Sequence, residues 1–185
     1  LVYIEIQVCM NPLRQIKVER ESFGQKLIIF LATGFGLGLS PVASGTAGTL
    51  LGVVILFAMG SLNLYWQIAV SAALALIAIP LCGAAEDFYG KTDDGRIVAD
   101  EYMTFPICML GLPWAAHPWI LAVGFVMNRV MDILKPPPAY QAQNLVGGIG
   151  IVMDDVISSL YALAINHAIW LSTPFAGSTP RSSST

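Results

Sequence analysis

Between Leu27 and Ala85 this chain carries no Asp, Glu, Lys or Arg, and the same is true from Tyr102 to Asn128 and from Val156 to Pro180. Only 11% of its 185 residues are charged, under half the share usual in soluble domains, and 56% are hydrophobic. Such runs leave few ways to fold. Each must be covered by other protein or by lipid, and backbone held away from water must satisfy its own hydrogen bonds, which favours helices. Leu64 to Ala84 is the best membrane-spanning segment, close to the roughly 20 apolar residues a bilayer needs. The chain therefore reads as one all-α domain, a compact multi-helix bundle embedded in a membrane. A soluble helical domain that buries these runs as its core is the alternative.

The acids stand out against that background. Nine of the twelve lie between Glu86 and Asp155, mostly in compact clusters: Asp93-Asp94, Asp100-Glu101, Asp132 and Asp154-Asp155. Adjacent carboxylates near apolar surface are unfavourable unless a cation or a donor neutralises them. Mg²⁺ prefers carboxylate oxygen plus water and leaves positions open for phosphate oxygens. Arg129, Asp132 and Lys135 recur every three residues, so one helical face offers cation, anion, cation. Arg and Lys suit phosphate oxygens, while Asp132 takes a metal or orients Arg129. Gly147-Gly148-Ile149-Gly150, opening a helix that carries Asp154-Asp155, reads as an anion cradle beside a metal. Each cluster alone is compatible with a salt-bridged helix end or a solvated loop. Together they are the parts of a metal-assisted phosphoryl site, with activated water as the simplest nucleophile.

The order of segments sets the topology. Residues 1–26 form a polar leader whose Arg14, Lys17, Arg20 and Lys26 predict a cytoplasmic N-terminus, with no convincing signal peptide and a natural start at Met10 or upstream. Residues 33–49 are so rich in Gly, Ser and Thr that a tight loop is expected, followed by a short helix from Leu50 to Met59. The run Tyr102 to Met127 holds Pro106, Pro113 and Pro118 and is expected to break. A single crossing there would place Asp132 opposite Asp100, whereas a re-entrant hairpin bent near residues 113–118 keeps the acids on one side. Arg129 to Lys135 ends a helix at Pro136-Pro137-Pro138, Gln141 to Gly150 is a polar loop, and Ile151 to Leu171 is the last helix. Residues 27–171 make the helical domain, and 172–185 a disordered Ser/Thr-rich tail.

Several classes are disfavoured. A net charge of −3 without a basic stripe argues against nucleic-acid binding. Cys9, Cys82 and Cys108 form no Cys-x-x-Cys pair, so a disulfide framework or zinc site has little support. His117 and His167 stand alone in apolar runs and are expected to pack rather than ligate. The rival function is a small membrane transporter or cation-binding protein using the same carboxylates. Acids at the ends of apolar runs, not within them, favour surface chemistry.

Four segments also resemble, in order, the phosphatidylglycerophosphatase A family: Ala32-Thr33-Gly34-Phe35-Gly36-Leu37-Gly38-Leu39-Ser40-Pro41 with Ser44-Gly45-Thr46; Ile97-Val98-Ala99-Asp100-Glu101; Arg129-Val130-Met131-Asp132-Ile133-Leu134-Lys135-Pro136-Pro137-Pro138; and Gly147-Gly148-Ile149-Gly150-Ile151-Val152-Met153-Asp154-Asp155. The chain departs from the family at Thr104, where glycine is usual, and at Ile157-Ser158-Ser159, where Ala-Gly is common. The resemblance implies a Mg²⁺-dependent lipid phosphatase of the bacterial inner membrane, mostly helical, active site towards the cytoplasm. It would convert phosphatidylglycerophosphate to phosphatidylglycerol in glycerophospholipid biosynthesis. Asp93, Asp100, Glu101, Asp132, Asp154 and Asp155 fall on its acidic positions and are the expected metal ligands. Arg129 and Lys135 fall on its basic positions and are expected to clamp the phosphate, with Glu101 as general base. Thr33, Gly34, Gly36, Ser40, Thr46, Gly147 and Gly148 are expected to line the headgroup. Oligomeric state has no signal in the sequence.

Overall fold

The structure, a computed structural model, describes residues 23–177. Most of the expected leader, with Cys9 and Met10, and the tail beyond residue 177 lie outside the described residues. Among the described residues there are seven α-helices and no strand: α1 (Phe23–Ala32), α2 (Ser44–Ala58), α3 (Leu64–Tyr89), α4 (Ala99–Thr104), α5 (Pro118–Leu134), α6 (Ala139–Ala142) and α7 (Gly148–Leu171), with 3-10 turns at Leu37–Leu39, Phe105–Met109 and Pro174–Gly177. α3 and α7 are each long and apolar enough to cross a membrane. Large apolar side chains also remain exposed on α2, α3, α5 and α7, among them Val54, Leu76, Val126 and Leu160.

The helices run between two ends of the bundle. At one end Phe57, in the last turn of α2, and Gly60, just after it, meet Trp114, and His117, at the start of α5, packs against Trp170 near the end of α7. The other end gathers the start of α2, α4, the end of α5 and the start of α7. After α4 the chain passes through the 3-10 turn at residues 105–109, reverses between Gly111 and Pro118 and returns along α5. The expected out-and-back path of the proline-broken run is therefore observed: Arg129 reaches both Glu101 (3.3 Å) and Asp132 (3.0 Å).

Two apolar cores support this arrangement. One joins α1, α3, α4 and α7 through Ala32, Cys82, Ala85, Val98, Tyr102 and Val152, directly below the acidic end. The other surrounds Phe105, Met109, Trp114, Ile120 and Ala162. α4 is pinned at its start, where the Val98 amide donates to the Ala32 carbonyl (2.9 Å), and by the Tyr102 hydroxyl, which donates to the Leu31 carbonyl (3.0 Å). Cys82 and Cys108 are free and buried. His167 Nε2 lies 2.9 Å from the Leu110 carbonyl, a packed role like that of His117. Thr104 donates to the Asp100 carbonyl (2.7 Å) and Ser159 to Asn128 Oδ1 (2.9 Å), whereas the Ser158 hydroxyl is buried without a hydrogen-bond partner among the described residues, so the departures from the family pattern place polar groups inside the bundle.

Three boundaries correct the sequence reading. The expected loop over residues 33–49 ends at Ala43, and α2 begins at Ser44. Its small residues let α4 lie against it: a Cβ on Gly48 would stand 2.8 Å from Val98 Cβ, and one on Gly52 would stand 2.5 Å from Phe105 Cβ. α3 runs on through Glu86 and Asp87 to Tyr89, where Gly90 in left-handed conformation (φ 64°) ends it. α7 begins at Gly148, not Ile151, because glycine lets its first turn approach the backbone of α3; a Cβ there would stand 2.6 Å from the Gly83 amide nitrogen.

Candidate active site

A cavity of about 260 Å³ opens at the acidic end, lined by Ser44, Asp93, Gly95, Ile97, Asp100, Glu101, Asp132, Ile133, Lys135, Asp154 and Asp155. It collects carboxylates from four parts of the chain. Asp93 comes from the α3–α4 loop, Asp100 and Glu101 from the first turn of α4, Asp132 from α5, and Asp154 with Asp155 from the second turn of α7. All six expected acidic ligands therefore share one cavity.

The cations are already engaged with these acids. Arg129 bridges Asp132, as its spacing predicts, and Glu101, which the spacing does not reach, and Nη1 also donates to the Thr49 hydroxyl (3.4 Å). Lys135 turns instead to Asp154, with Nζ 2.6 Å from Oδ2. Its backbone is left-handed (φ 44°), as are those of Asp93 (φ 49°) and Ala43 (φ 52°), immediately before Ser44. Left-handed backbone at a non-glycine residue is unfavourable by about 1–2 kcal/mol. Of the four such residues among the described residues, three stand around this cavity and the fourth, Phe35, lies elsewhere, so backbone strain is concentrated at the acidic end.

Two carboxylate oxygens here are buried without a hydrogen-bond partner among the described residues: Asp100 Oδ1 and Glu101 Oε2. Burial, then the charges of Glu101, Asp93 and Asp154, pushes Asp100 well above the usual carboxylate range. Burial also pushes Glu101 up to about 7; Arg129 opposes that rise, and Asp132 and Asp93 add to it. Orphaned, hard oxygen donors in a water-accessible cavity are what a divalent cation such as Mg²⁺ satisfies, so the residues present fit that group. Among the described residues, however, no three acids already converge as a ligand set. Arg129 and Lys135 hold oxygens of Glu101, Asp132 and Asp154 instead.

The residues expected at the headgroup are dispersed. Thr33 and Gly36 line a different cavity, with Ile29, Phe30, Leu39, Phe88 and Tyr89. The Thr33 hydroxyl donates back to the Ile29 carbonyl (2.8 Å). Gly34, at φ 57°, packs against Val98 and Leu51. Ser40 closes a local turn, donating to the Val42 carbonyl (2.9 Å). Thr46 lies in the first turn of α2. Gly147 and Gly148 lie outside the lining of the acidic cavity; the space beside Gly147 is about 10 Å³, room for about a single water.

Sequence reasoning missed the start of α2. Ser44 lines the acidic cavity, and a Cβ on Gly45 would meet the Glu101 carboxylate and stand 2.7 Å from Arg129 Nη2. Ala43 offers no side-chain cap, so helix geometry leaves the first-turn N–H groups without intrahelical partners. The signal was present in Ser44-Gly45-Thr46 but was absorbed into the loop reading.

A sequence profile of the phosphatidylglycerophosphatase A family matches residues 30–170. This chain belongs to that family. The phosphatidylglycerophosphatase A of Haemophilus influenzae is 37% identical over 164 residues, covering 86% of this chain and 94% of the relative. The phosphatidylglycerophosphatase A of Escherichia coli K12 is 35% identical over 142 residues, 75% of this chain and 81% of the relative. A putative phosphatidylinositol-3-phosphatase of Bacteroides thetaiotaomicron is 35% identical over 164 residues, 83% of this chain and 99% of the relative. No solved structure matches. Membership of the phosphatidylglycerophosphatase A family makes the chain a phosphatase, and the matched span includes every residue around the acidic cavity.

Proposed function

We propose that this enzyme hydrolyses the terminal phosphate of phosphatidylglycerophosphate, using Mg²⁺, to release phosphatidylglycerol and inorganic phosphate during glycerophospholipid synthesis. The observation that carries the reading is Asp100: a deeply buried carboxylate with an unpartnered oxygen, in a cavity also lined by Glu101, which pairs with Arg129, and by the Lys135–Asp154 pair. Asp100, Asp154 and Asp155 would hold the metal, with Asp93 and Asp132 at the rim of the same cavity. The bound cation supplies charge neutralisation for phosphate oxygens and acidifies water.

The chain's own groups do the rest. Arg129 and Lys135 place positive charge against the equatorial oxygens of the phosphoryl group as charge develops there. The uncapped first turn of α2 points its N–H groups at the same anion, and the Ser44 hydroxyl adds a donor. Glu101, with a pKa near neutrality, takes the proton of the attacking water. The water oxygen bonds to phosphorus, the bond from phosphorus to the glycerol oxygen breaks, and that oxygen leaves with a proton as phosphatidylglycerol. Exposed apolar residues on α2, α3, α5 and α7 suit a lipid surround. The basic residues before Leu27 support a cytoplasmic N-terminus by the positive-inside rule, and with it an acidic end that faces the cytoplasm at a bacterial inner membrane.

The test is phosphate release from phosphatidylglycerophosphate by detergent-purified protein, with Mg²⁺ or with EDTA, beside Asp100→Asn. Release that needs the metal and is lost in a folded Asp100→Asn supports the assignment. No release by folded wild-type protein removes it.

A further inference from the structure

Beside the acidic cavity lies the second cavity, also about 260 Å³ but different in chemistry. Its walls are apolar and aromatic, from Ile29 and Phe30 of α1, Leu39 of the following turn, and Phe88 and Tyr89 at the end of α3. Gln25 and Lys26 give it one polar edge. The acidic cavity uses the next stretch of chain: Asp93, Gly95 and Ile97 line it. Tyr89 thus lines the aromatic cavity, and Arg96 lies between Gly95 and Ile97, which line the acidic one. The Arg96 guanidinium carbon sits 3.8 Å from the centre of the Tyr89 ring. The turn that carries Leu39 closes on the same residue, since a Cβ on Gly38 would stand 3.0 Å from the Arg96 carbonyl carbon.

Arg96 is held there rigidly. Its Nε donates to Asp94 Oδ1 (2.8 Å) and its Nη2 to Oδ2 (3.0 Å), while its backbone amide donates to Oδ1 (3.1 Å). That bidentate pair uses two of five guanidinium N–H groups and leaves three. The side chain is nonetheless 46% exposed. A cation fixed by a stacked ring and a carboxylate, with donors still directed outwards, has already given up the freedom that binding an anion would take. By contrast, Lys135 lines the acidic cavity, and Arg129 is paired with Glu101 and Asp132, which line it.

We propose that Arg96 binds the internal phosphodiester of a diacyl phospholipid whose terminal phosphate enters the acidic cavity and whose acyl end lies in the aromatic cavity. This rests on the lipid-phosphatase reading and adds what selects the substrate. A lipid with two phosphates separated by a glycerol satisfies both cationic positions at once. A lipid whose single phosphate is attached directly to diacylglycerol satisfies only one. The apolar walls and the adjoining guanidinium match the two ends of such a diester: hydrocarbon on one side, a single negative charge on the other.

The experiment uses full-length protein in mixed detergent micelles and compares wild type with Arg96→Gln. Two inhibitors separate the two subsites: phosphatidylglycerol, which carries the diester without the terminal phosphate, and inorganic phosphate, which carries only the latter. The loss of a charge-assisted contact should raise KM for phosphatidylglycerophosphate and Ki for phosphatidylglycerol by about tenfold or more. The Ki for inorganic phosphate should stay within about twofold, because that anion does not reach Arg96. A second variant, Leu39→Trp, fills the aromatic cavity from an exposed position and should raise KM for long-chain substrate while sparing a short-chain analogue. An unchanged Ki for phosphatidylglycerol in Arg96→Gln, or a parallel rise in the Ki for inorganic phosphate, overturns the assignment, the second because it shows Arg96 merely holding the loop in place. A folded wild type that releases no phosphate from phosphatidylglycerophosphate overturns the parent reading and this one with it. Normal wild-type turnover with an unaffected Arg96→Gln overturns this one alone.

Discussion

Gly48→Ala is the most informative single change in this molecule, because it adds one methyl group at the seam between α2 and the acidic end. The new Cβ would stand 2.6 Å from Glu101 Oε2 and 2.8 Å from Val98 Cβ. The carboxylate can swing aside, but Val98 Cβ is fixed to backbone that hydrogen-bonds to α1. Restoring an ordinary carbon–carbon separation of about 3.5 Å moves α2 and α4 apart by roughly 0.7 Å. Overpacking of that kind is unfavourable by about 1–3 kcal/mol, and the gain in helix propensity from Gly to Ala returns about 0.5–1. The net loss is about 1 kcal/mol, a fall of roughly 2–4 °C in melting temperature for a chain of this size. Turnover should suffer far more. Displacement of a reacting group by about 1 Å can reduce rate a hundredfold, so a ten- to hundredfold fall in kcat is expected. Thermal unfolding in detergent and Mg²⁺-dependent phosphate release, measured on one preparation, separate the two effects. Gly95→Ala is the control: it borders the same cavity, but its Cβ meets nothing within 4 Å, so stability should change by less than about 0.5 kcal/mol. Gly48→Ala with wild-type kcat and an unshifted melting temperature would refute the close α2–α4 contact and Glu101's dependence on it.

The other predictions concern the charges and the seam on the opposite side. Lys135→Met leaves Asp154 buried without its partner and should lower stability by about 3 kcal/mol and abolish turnover; adding Asp154→Asn should restore the melting temperature but not the activity, and a melting temperature unmoved by Lys135→Met counts against the pair. In EDTA, stability should fall as pH rises from 5 to 8. Glu101's folded pKa of about 7 lies above its ordinary 4.5, so its contribution is complete below about 4.5 and lost as pH passes 7, on the order of 3 kcal/mol, and Asp100 acts in the same direction. Glu101→Gln should flatten that profile, and a pH-independent melting curve for wild type would show that the carboxylate is solvated. Gly148→Ala brings a Cβ to 2.6 Å from the Gly83 amide nitrogen and should lower stability by about 1–3 kcal/mol; a normal melting temperature would mean that α3 and α7 are further apart.

Much of this site was legible because its chemistry is charge in an uncharged chain. Asp93, Asp100, Glu101, Asp132, Asp154 and Asp155 had no apolar neighbour of similar character to confuse them, and the cavity holds all six. The i,i+3 spacing placed Arg129 on Asp132, but nothing local could place Lys135 on Asp154, nineteen residues away on another helix. That contact needs the left-handed turn at Lys135, and left-handed backbone is conventionally read from glycine or asparagine. The glycines were the weaker guide for a related reason. Gly, Ser and Thr signal a loop when local propensity decides, but in a helix packed on another helix they signal close approach, and one sequence cannot say which condition holds.

That ambiguity bears on how the enzyme is built. Gly45, Gly48 and Gly52 recur along α2 on the side that meets Arg129, Glu101, Val98 and Phe105. Each larger residue there would push α4 outwards, and α4 carries Asp100 and Glu101 in its first turn. Removing side chains from α2 thus draws two acids down against the apolar core, where burial raises their pKa, leaving an unpartnered oxygen on each. Ala43, just before Ser44, separately offers no capping side chain, and this leaves the first-turn N–H groups of α2 to whatever anion the acids and their cation admit. A helix with poor intrinsic propensity is therefore what brings the carboxylates, the guanidinium of Arg129 and a set of backbone donors to one cavity. Substitutions that improve α2 as a helix should, on this argument, consistently impair the enzyme.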